Sequence, residues 1–291
     1  MILRSNLLTA FLIMMGSIAS ISASENQDQT RPENATAPVS SPIQYEEESD
    51  YVATSVGSDF FTATKRGAGF IGGGEIVYLR PYSSVGMPLD FNFKPSYRAW
   101  VGYQNADGLG GRVRYWEYDQ SQSDFGVETW SLDFHALDAE LTQQVDYYSW
   151  NFLVSGGIRQ AESRIAMESF GVPENGFGFS GVGLTFSAQA TRDLNASGSF
   201  RFLAGGRWSC LFGNSDVEVD HVLSPYPLSN TTINIIEINM GPQFVRELKN
   251  GALLTIFGGA EAQSWNGGFG FGYLASDIGF VGFGTSISVL R

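Results

Sequence analysis

Apolar residues alternate with small or polar residues along most of the chain from about residue 67 onward. Near the C-terminus, Val281 and Phe283 share one parity, while Gly282 and Gly284 share the other. A period of two places successive side chains on opposite faces of a β-strand. The same pattern recurs in three other segments, 148–159, 182–190 and 236–244. The chain is therefore predicted to form strands with one apolar face and one face of small and polar residues.

The alternating runs are longer than the five or six residues that are usual for a strand in a soluble protein. They predict about ten strands, within a range of roughly 8 to 12. The predicted strands are 68–80, 96–105, 109–119, 130–142, 147–160, 177–192, 199–213, 231–247, 251–264 and 278–291. The short links between them are 105–108, 142–146, 193–198 and 248–251, and the long links are 81–95, 120–129, 161–176, 214–230 and 265–277.

Short and long links alternate strictly, which puts short turns at one rim and long loops at the other. This arrangement, with an even strand number, is typical of outer-membrane barrels. Only a closed barrel lets strands face hydrocarbon with no unpaired edge. The predicted fold is therefore all-β: a closed antiparallel transmembrane β-barrel with short periplasmic turns and long external loops.

A soluble β-sandwich also shows alternation, so the pattern alone does not choose between the two folds. Several aromatic residues fall on the predicted lipid side, some near strand ends, where an interfacial girdle is expected. They are Tyr97, Tyr103, Tyr115, Trp130, Tyr148, Trp150 and Phe244. In a sandwich the same residues would pack in the core. Strand length and the alternation of links favour the barrel.

The N-terminal part of the chain has a different pattern. Residues 1–23 contain Arg4, an apolar run over 7–15 and a tail of small residues, which predicts a secretory signal peptide. Residues 24–66 begin with a polar, acidic stretch and are predicted to be a disordered acidic segment. The barrel is assigned to residues 67–291. Export by a signal peptide and a barrel together predict location in the cell outer membrane.

Composition and charge exclude several classes of function. The formal net charge is −13, from 17 basic and 30 acidic residues, so a nucleic-acid partner is not expected. One cysteine permits no internal disulfide, and two histidines cannot form a His-rich metal site. No metal and no other cofactor is therefore expected. The 35 glycines disfavour helices, and many lie on the small-residue face of predicted strands.

Residues 95–119, PSYRAWVGYQNADGLGGRVRYWEYD, resemble the first hairpin of the pore-forming outer-membrane family typified by the Legionella major outer membrane protein. Later segments are similar in the same order: 137–141, 155–159, 179–183, 206–213 and 260–265. The resemblance implies an outer-membrane β-barrel that acts as a porin. The family's founding member is known for disulfide cross-linking, whereas this chain has only Cys210. A homo-oligomer stays open, but one joined by disulfides is not expected.

Ten charged residues have the parity of the predicted lumen side: Arg98, Arg112, Arg114, Arg159 and Arg207, with Glu75, Asp138, Glu140, Glu237 and Glu261. In one interpretation they are pore candidates, and Arg98, Arg112 and Arg114 line a constriction that tunes ion selectivity. In the other they form a salt-bridged network that braces a closed barrel, because an unpaired charge away from bulk water is costly. About ten strands lie near the closed end of the size range, so any pore should be small.

Two functions of a barrel therefore compete, ahead of a third alternative, a soluble secreted β-protein or an enzyme. One is an outer-membrane porin for the passive diffusion of small solutes or ions. The other is a non-conducting barrel that anchors the envelope or binds a partner through its surface loops; outer-membrane lipid surrounds the barrel in either case. An enzyme is not expected, because His135 beside Asp133 has no accompanying G-x-S-x-G motif. The alternation slips over 133–141, which predicts a β-bulge there.

Overall fold

The computed structural model describes residues 68–83, 91–124, 128–147, 150–170, 172–219, 226–267 and 277–291. The predicted signal peptide (1–23), the whole predicted acidic segment (24–66) and residue 67 lie outside these residues. The described residues form ten strands: β1 Gly69–Ser83, β2 Lys94–Gln104, β3 Leu109–Asp124, β4 Glu128–Tyr147, β5 Trp150–Ser169, β6 Val172–Asp193, β7 Phe200–Val219, β8 Tyr226–Glu247, β9 Leu253–Asn266 and β10 Asp277–Leu290.

Each strand pairs with the next in antiparallel fashion, and β10 pairs with β1 to close the sheet into a barrel. The closing ladder runs from Ile71 opposite Leu290 to Ser83 opposite Ile278. The predicted closed antiparallel barrel of ten strands is confirmed. The described part of the chain contains no helix long and apolar enough to cross a membrane.

The short-turn rim carries the tight hairpins and the two ends of the barrel. The β2–β3 turn is built on Gly108, whose φ of +83° is the left-handed conformation that the predicted Asp-Gly turn requires. Phe70 and Arg291 exchange backbone hydrogen bonds at the same rim, so β1 begins where β10 ends.

The opposite rim, here called the far rim, differs from the prediction in its links. Residues 120–129, 161–176 and 214–230 were predicted to be long links, but most of them are strand. β3 continues to Asp124 and β4 begins at Glu128, for example. The prediction is wrong there because polar residues are typical of loops. In this protein they belong to strands that extend beyond the apolar part of the wall.

Outward-facing side chains change abruptly from apolar to polar along each of these strands. On β4, Leu137, Leu141 and Val145 face outward and are exposed, whereas His135 and Asp133 occupy the next outward positions toward the far rim. The last apolar and first polar outward residues on other strands are Tyr115 and Glu117, Ile158 and Gln160, Val182 and Ser180, Phe212 and Asn214, and Ile236 and Asn234.

This polarity step falls on paired residues in neighbouring strands, except that on β5 it comes one outward position earlier, at Gln160, which lies opposite Leu137. Glu117 lies opposite His135, and His135 lies opposite Glu162. The outward surface between the step and the short-turn rim is here called the apolar band. On β4 it extends from Leu137 to Tyr147, about 33 Å along the strand and about 25 Å along the axis of a barrel with a typical tilt. That height matches the hydrocarbon-facing band of transmembrane barrels, which is about 25 Å.

Inward-facing side chains show the opposite order. Within the apolar band the interior is rich in charged and polar residues, and toward the far rim it becomes an apolar core. Phe134 packs its ring against Trp265 at 5.1 Å and against Phe280 at 5.2 Å, and Trp116 packs against Trp265 at 5.8 Å. The two faces of the wall thus exchange polarity at the step.

This exchange explains two sequence predictions that are wrong. No bulge occurs over 133–141, since β4 pairs with β3 and β5 there without a register shift. Asp133 and His135 simply face outward, while Asp138 and Glu140 face inward. Trp130, predicted to face lipid, lies beyond the step and faces the apolar core. Tyr148 lies outside the described residues.

The two faces can be distinguished with single-tryptophan variants. We expect lipids with brominated acyl chains to quench a protein that keeps only Trp208, which faces outward in the apolar band and is 43% exposed. A protein that keeps only Trp116, buried in the core, should be quenched far less. Faster migration on unheated gels serves as the control for a folded barrel. Equal quenching of the two variants would contradict the assignment of faces.

Candidate functional site

The charged residues predicted on the lumen side all lie inside the barrel. Their exposed fractions range from 1% to 8%. They come from eight strands: Glu75 on β1, Arg98 on β2, Arg112 and Arg114 on β3, Asp138 and Glu140 on β4, Arg159 on β5, Arg207 on β7, Glu237 on β8 and Glu261 on β9. Strand alternation explains this convergence, because each residue has the inward parity of its strand. Together they are called the lumen network.

Arg98 joins three strands at one side of the lumen network. Its Nη1 donates to Glu75 Oε2 at 2.7 Å and to Glu261 Oε2 at 3.0 Å, and its Nη2 donates to Glu261 Oε1 at 2.8 Å. Gln263 Nε2 adds a hydrogen bond to Glu261 Oε1 at 2.6 Å. Two carboxylates therefore share one guanidinium, and this part of the lumen network carries one negative charge in excess.

Asp138 is the central hydrogen-bond acceptor in the second part of the lumen network, which contains all of its residues except Glu75, Arg98 and Glu261. Arg159 donates to it twice, from Nε at 2.6 Å and from Nη2 at 2.9 Å. Arg114 Nη1 donates to Asp138 Oδ2 at 3.2 Å, and Arg207 Nη1 donates to the same oxygen at 3.4 Å. One carboxylate thus contacts three guanidinium groups from three other strands.

Glu140 and Glu237 complete this part. Glu140 accepts from Arg112 Nε at 2.5 Å and also from Arg207. Glu237 accepts from Arg159 Nη1 at 2.5 Å and from Arg114 Nη2 at 3.0 Å. Four arginines meet three carboxylates here. The resulting excess positive charge balances the excess negative charge of Glu75 and Glu261 around Arg98.

The lumen network as a whole has five positive and five negative groups. A buried charge without a partner is strongly unfavourable, whereas paired and hydrogen-bonded charges are tolerated. Direct bonds between opposite walls leave the charged groups engaged with each other rather than with a passing ion. The predicted network of paired charges therefore matches the geometry better than a ring of one sign.

The apolar core fills the barrel interior on the far-rim side of the lumen network. Leu132, Phe134, Leu211, Ile233 and Phe280 in it are fully buried. At its margin, Tyr118 donates a hydrogen bond to Gln120. Burial, together with the nearby carboxylate of Asp119, raises the pKa of Tyr118 above its ordinary value.

Arg201 is absent from the predicted set, although it has the same parity as Arg207 on β7 and is 1% exposed. Its Nε lies 2.6 Å from Asp193 Oδ1 at the short-turn rim. Its parity along β7 could have predicted that Arg201 faces the barrel interior. By contrast, His135 lies on the outer wall, with its Nε2 3.2 Å from Glu162. Within the described ranges, no group of three His, Cys, Asp or Glu residues could hold a metal ion.

No protein-family model matches the chain, and no curated protein matches it. Similar solved structures include Neisserial surface protein A, with 11% identity, 75% of this chain and 96% of that chain covered, and a TM-score of 0.34. The outer membrane protease OmpT from Escherichia coli has 8% identity, 77% and 96% coverage and a TM-score of 0.45. The attachment invasion locus protein Ail of Yersinia pestis has 9% identity, 76% and 98% coverage and a TM-score of 0.33. Similarities this distant say nothing about activity.

The lumen network should make a measurable contribution to stability. Asp138→Ala leaves three buried guanidinium groups short of a carboxylate, so we expect a loss of about 3–5 kcal/mol in the free energy of unfolding. Asp133→Ala, on the outer face of the same strand, is the matched control and should change it by less than about 0.5 kcal/mol. The measurement is urea unfolding of the barrel in lipid vesicles. Equal effects of the two substitutions would contradict the role of the lumen network.

Proposed function

We propose that the protein is a non-conducting β-barrel of the outer membrane that presents a sheet beyond the membrane for interaction with a partner. The observation that carries this proposal is the closure of the lumen at two successive levels. The lumen network joins the walls through ion pairs, and the apolar core fills the space beyond it. An ion crossing the barrel would have to separate buried pairs and then pass through packed aromatic rings.

The outer surface supports location in a membrane. An exposed apolar band on a soluble protein would be unfavourable in water, while a closed barrel satisfies its backbone in hydrocarbon. The expected signal peptide and the even strand number agree with the outer membrane in particular. Outer-membrane lipid is then the immediate partner of the apolar band, and the far rim faces the cell exterior, as the longer side of such barrels does.

The far ends of β3–β8 form the surface to be presented. Beyond the polarity step, the described side chains of these six strands are mostly polar on the outer face and contribute to the apolar core on the inner face. This part is called the projecting sheet. Its outer face carries more acidic than basic groups, with Glu117, Asp119, Asp133 and Glu162 on paired strands and Arg164 among them.

A porin for small solutes or ions is the second candidate. It is favoured by the resemblance of residues 95–119 to a pore-forming family, and it would use the same lumen residues as its lining. Barrels of eight strands are just filled by side chains, and those of sixteen leave an aqueous channel. Ten strands allow a filled interior of the kind described here, and this consideration ranks the non-conducting barrel first.

Conductance separates the two candidates. We expect the purified wild-type protein to give no discrete current steps in planar bilayers at high salt, with flotation of proteoliposomes as the control for insertion. Regular steps would reject a non-conducting barrel. In that event Arg112→Glu with Arg114→Glu should shift the reversal potential toward cation selectivity if these residues line the pore.

Orientation and location can be tested by labelling cells that express cysteine variants on a Cys210→Ser background. We expect a bulky maleimide to label Glu168→Cys, near the far rim, in intact cells. Asn250→Cys, in the β8–β9 turn at the short-turn rim, should be labelled only after the outer membrane is permeabilised. Labelling of Asn250→Cys alone in intact cells would reverse the orientation, and labelling of neither would argue against the outer membrane.

A further inference from the structure

The projecting sheet has a free edge at β3. The ladder between β2 and β3 ends where Tyr97 lies opposite Glu117, whereas the ladder between β3 and β4 continues to Asp124 opposite Glu128. The next outward-parity partner of β3 would be Pro95 opposite Asp119, and proline has no N–H to donate. Over Asp119–Ser123, β3 therefore has a strand on one side only, as far as the described residues go.

The direction of the backbone groups at this edge follows from the hydrogen bonds at the other end of β3. Asn105 N–H donates to Leu109 O on the β2 side, and Gln144 N–H donates to Gly108 O on the β4 side. Backbone groups in an antiparallel strand alternate in direction, so odd-numbered residues of β3 point away from β4. The N–H and C=O groups of Asp119, Ser121 and Ser123 consequently face the open side.

The two edges of the projecting sheet differ in how they are protected. On β8 the ladder with β9 begins at Asn234, and the stretch beyond it contains Pro227, a register shift against β7 and Asn230 with a φ of +61°. Proline and irregular backbone are common means of blocking an edge. On β3 the stretch 119–123 contains no proline or lysine and pairs with β4 without a shift. As far as the chain is described, the β3 edge is regular and no strand pairs with it, although the inward Gln120 Nε2 donates a hydrogen bond to Asn92 O at 3.3 Å.

Charge at the β3 edge selects the occupant. Asp119 lies directly opposite Asp133, and like charges in such a position are unfavourable. Glu117 is the neighbouring outward residue on β3, and Arg164 lies opposite Asp133 on the far side of β4. A basic side chain on an added strand would lie next to Asp119 and reduce the repulsion. A second copy of the chain would instead bring two sets of these carboxylates together.

We propose that the β3 edge from Asp119 to Ser123 binds an extended segment of a partner protein as an additional strand, with Lys or Arg side chains on its outward face. Backbone hydrogen bonds supply the docking, and the basic side chains supply the selectivity, as in other cases of strand addition. This inference rests on the proposed function and names the partner by its chemistry: an exposed, basic, extended protein segment.

The test uses the full-length protein in detergent micelles and the fluorescein-labelled peptide Lys-Val-Lys-Val-Lys-Val-Lys, with binding followed by anisotropy. We expect Ser121→Pro to weaken binding at least about fivefold, because it removes an edge N–H and leaves the ladder with β4 intact. Ser121→Ala keeps that N–H and is the matched control, with a change of less than about twofold. Asp119→Asn with Asp133→Asn should weaken binding and flatten its salt dependence.

Two further peptides exclude simple charge attraction. Lys-Pro-Lys-Pro-Lys-Pro-Lys has the same charge but cannot add a strand, and Glu-Val-Glu-Val-Glu-Val-Glu has the opposite charge; neither should bind. The proposal is overturned if the Lys-Val peptide fails to bind, if the Lys-Pro peptide binds as well, or if Ser121→Pro has no effect. It is also overturned if the protein alone forms a dimer that Ser121→Pro abolishes. Failure of peptide binding would leave the conductance and labelling outcomes unchanged, so the two proposals fail separately.

Discussion

Satisfaction of every backbone hydrogen bond in hydrocarbon is the constraint on which the rest of this structure depends. A lipid-exposed N–H or C=O without a partner costs several kcal/mol, so a membrane sheet must close on itself. The pairing of β1 with β10 achieves this closure. Ten strands then enclose an interior narrow enough to be filled by side chains, and strand alternation decides which side chains fill it.

Filling that interior creates a second constraint, on charge. Within the apolar band the inward residues are charged, and they are acceptable there only because each guanidinium contacts carboxylates from other strands. Asp138 alone receives hydrogen bonds from three strands besides its own. Beyond the polarity step the outside is no longer apolar, and the inside becomes an ordinary aromatic core. Because the wall no longer faces hydrocarbon there, a strand edge without a partner is tolerated, and the free edge of β3 lies in this part.

Much of this could be predicted from the sequence. The strands and the inward positions of Arg98, Asp138 and Glu237 follow from a period of two, whereas closure was predicted from strand length and from the alternation of short and long links. The extra length of β3–β8 could not be predicted, because polar outward residues such as Ser121 look like loop when the surroundings are assumed to stay constant along a strand. The change of parity at His135 could be seen in the sequence, but its cause could not. Polar residues change from the inner to the outer face because the surroundings of the wall change there, whereas the register of β4 does not shift. Which guanidinium meets which carboxylate depends on contacts across the lumen that no local pattern encodes.

The polarity step also fixes how deep the barrel can sit in a bilayer. Movement toward the short-turn side would draw Glu117, His135 and Glu162 into hydrocarbon together, since they are paired across three strands. Movement the other way would expose apolar residues such as Leu137 to water. In a bilayer thicker or thinner than the apolar band, the barrel would keep its depth at this line, and the lipids near the short-turn rim would stretch or compress to fit.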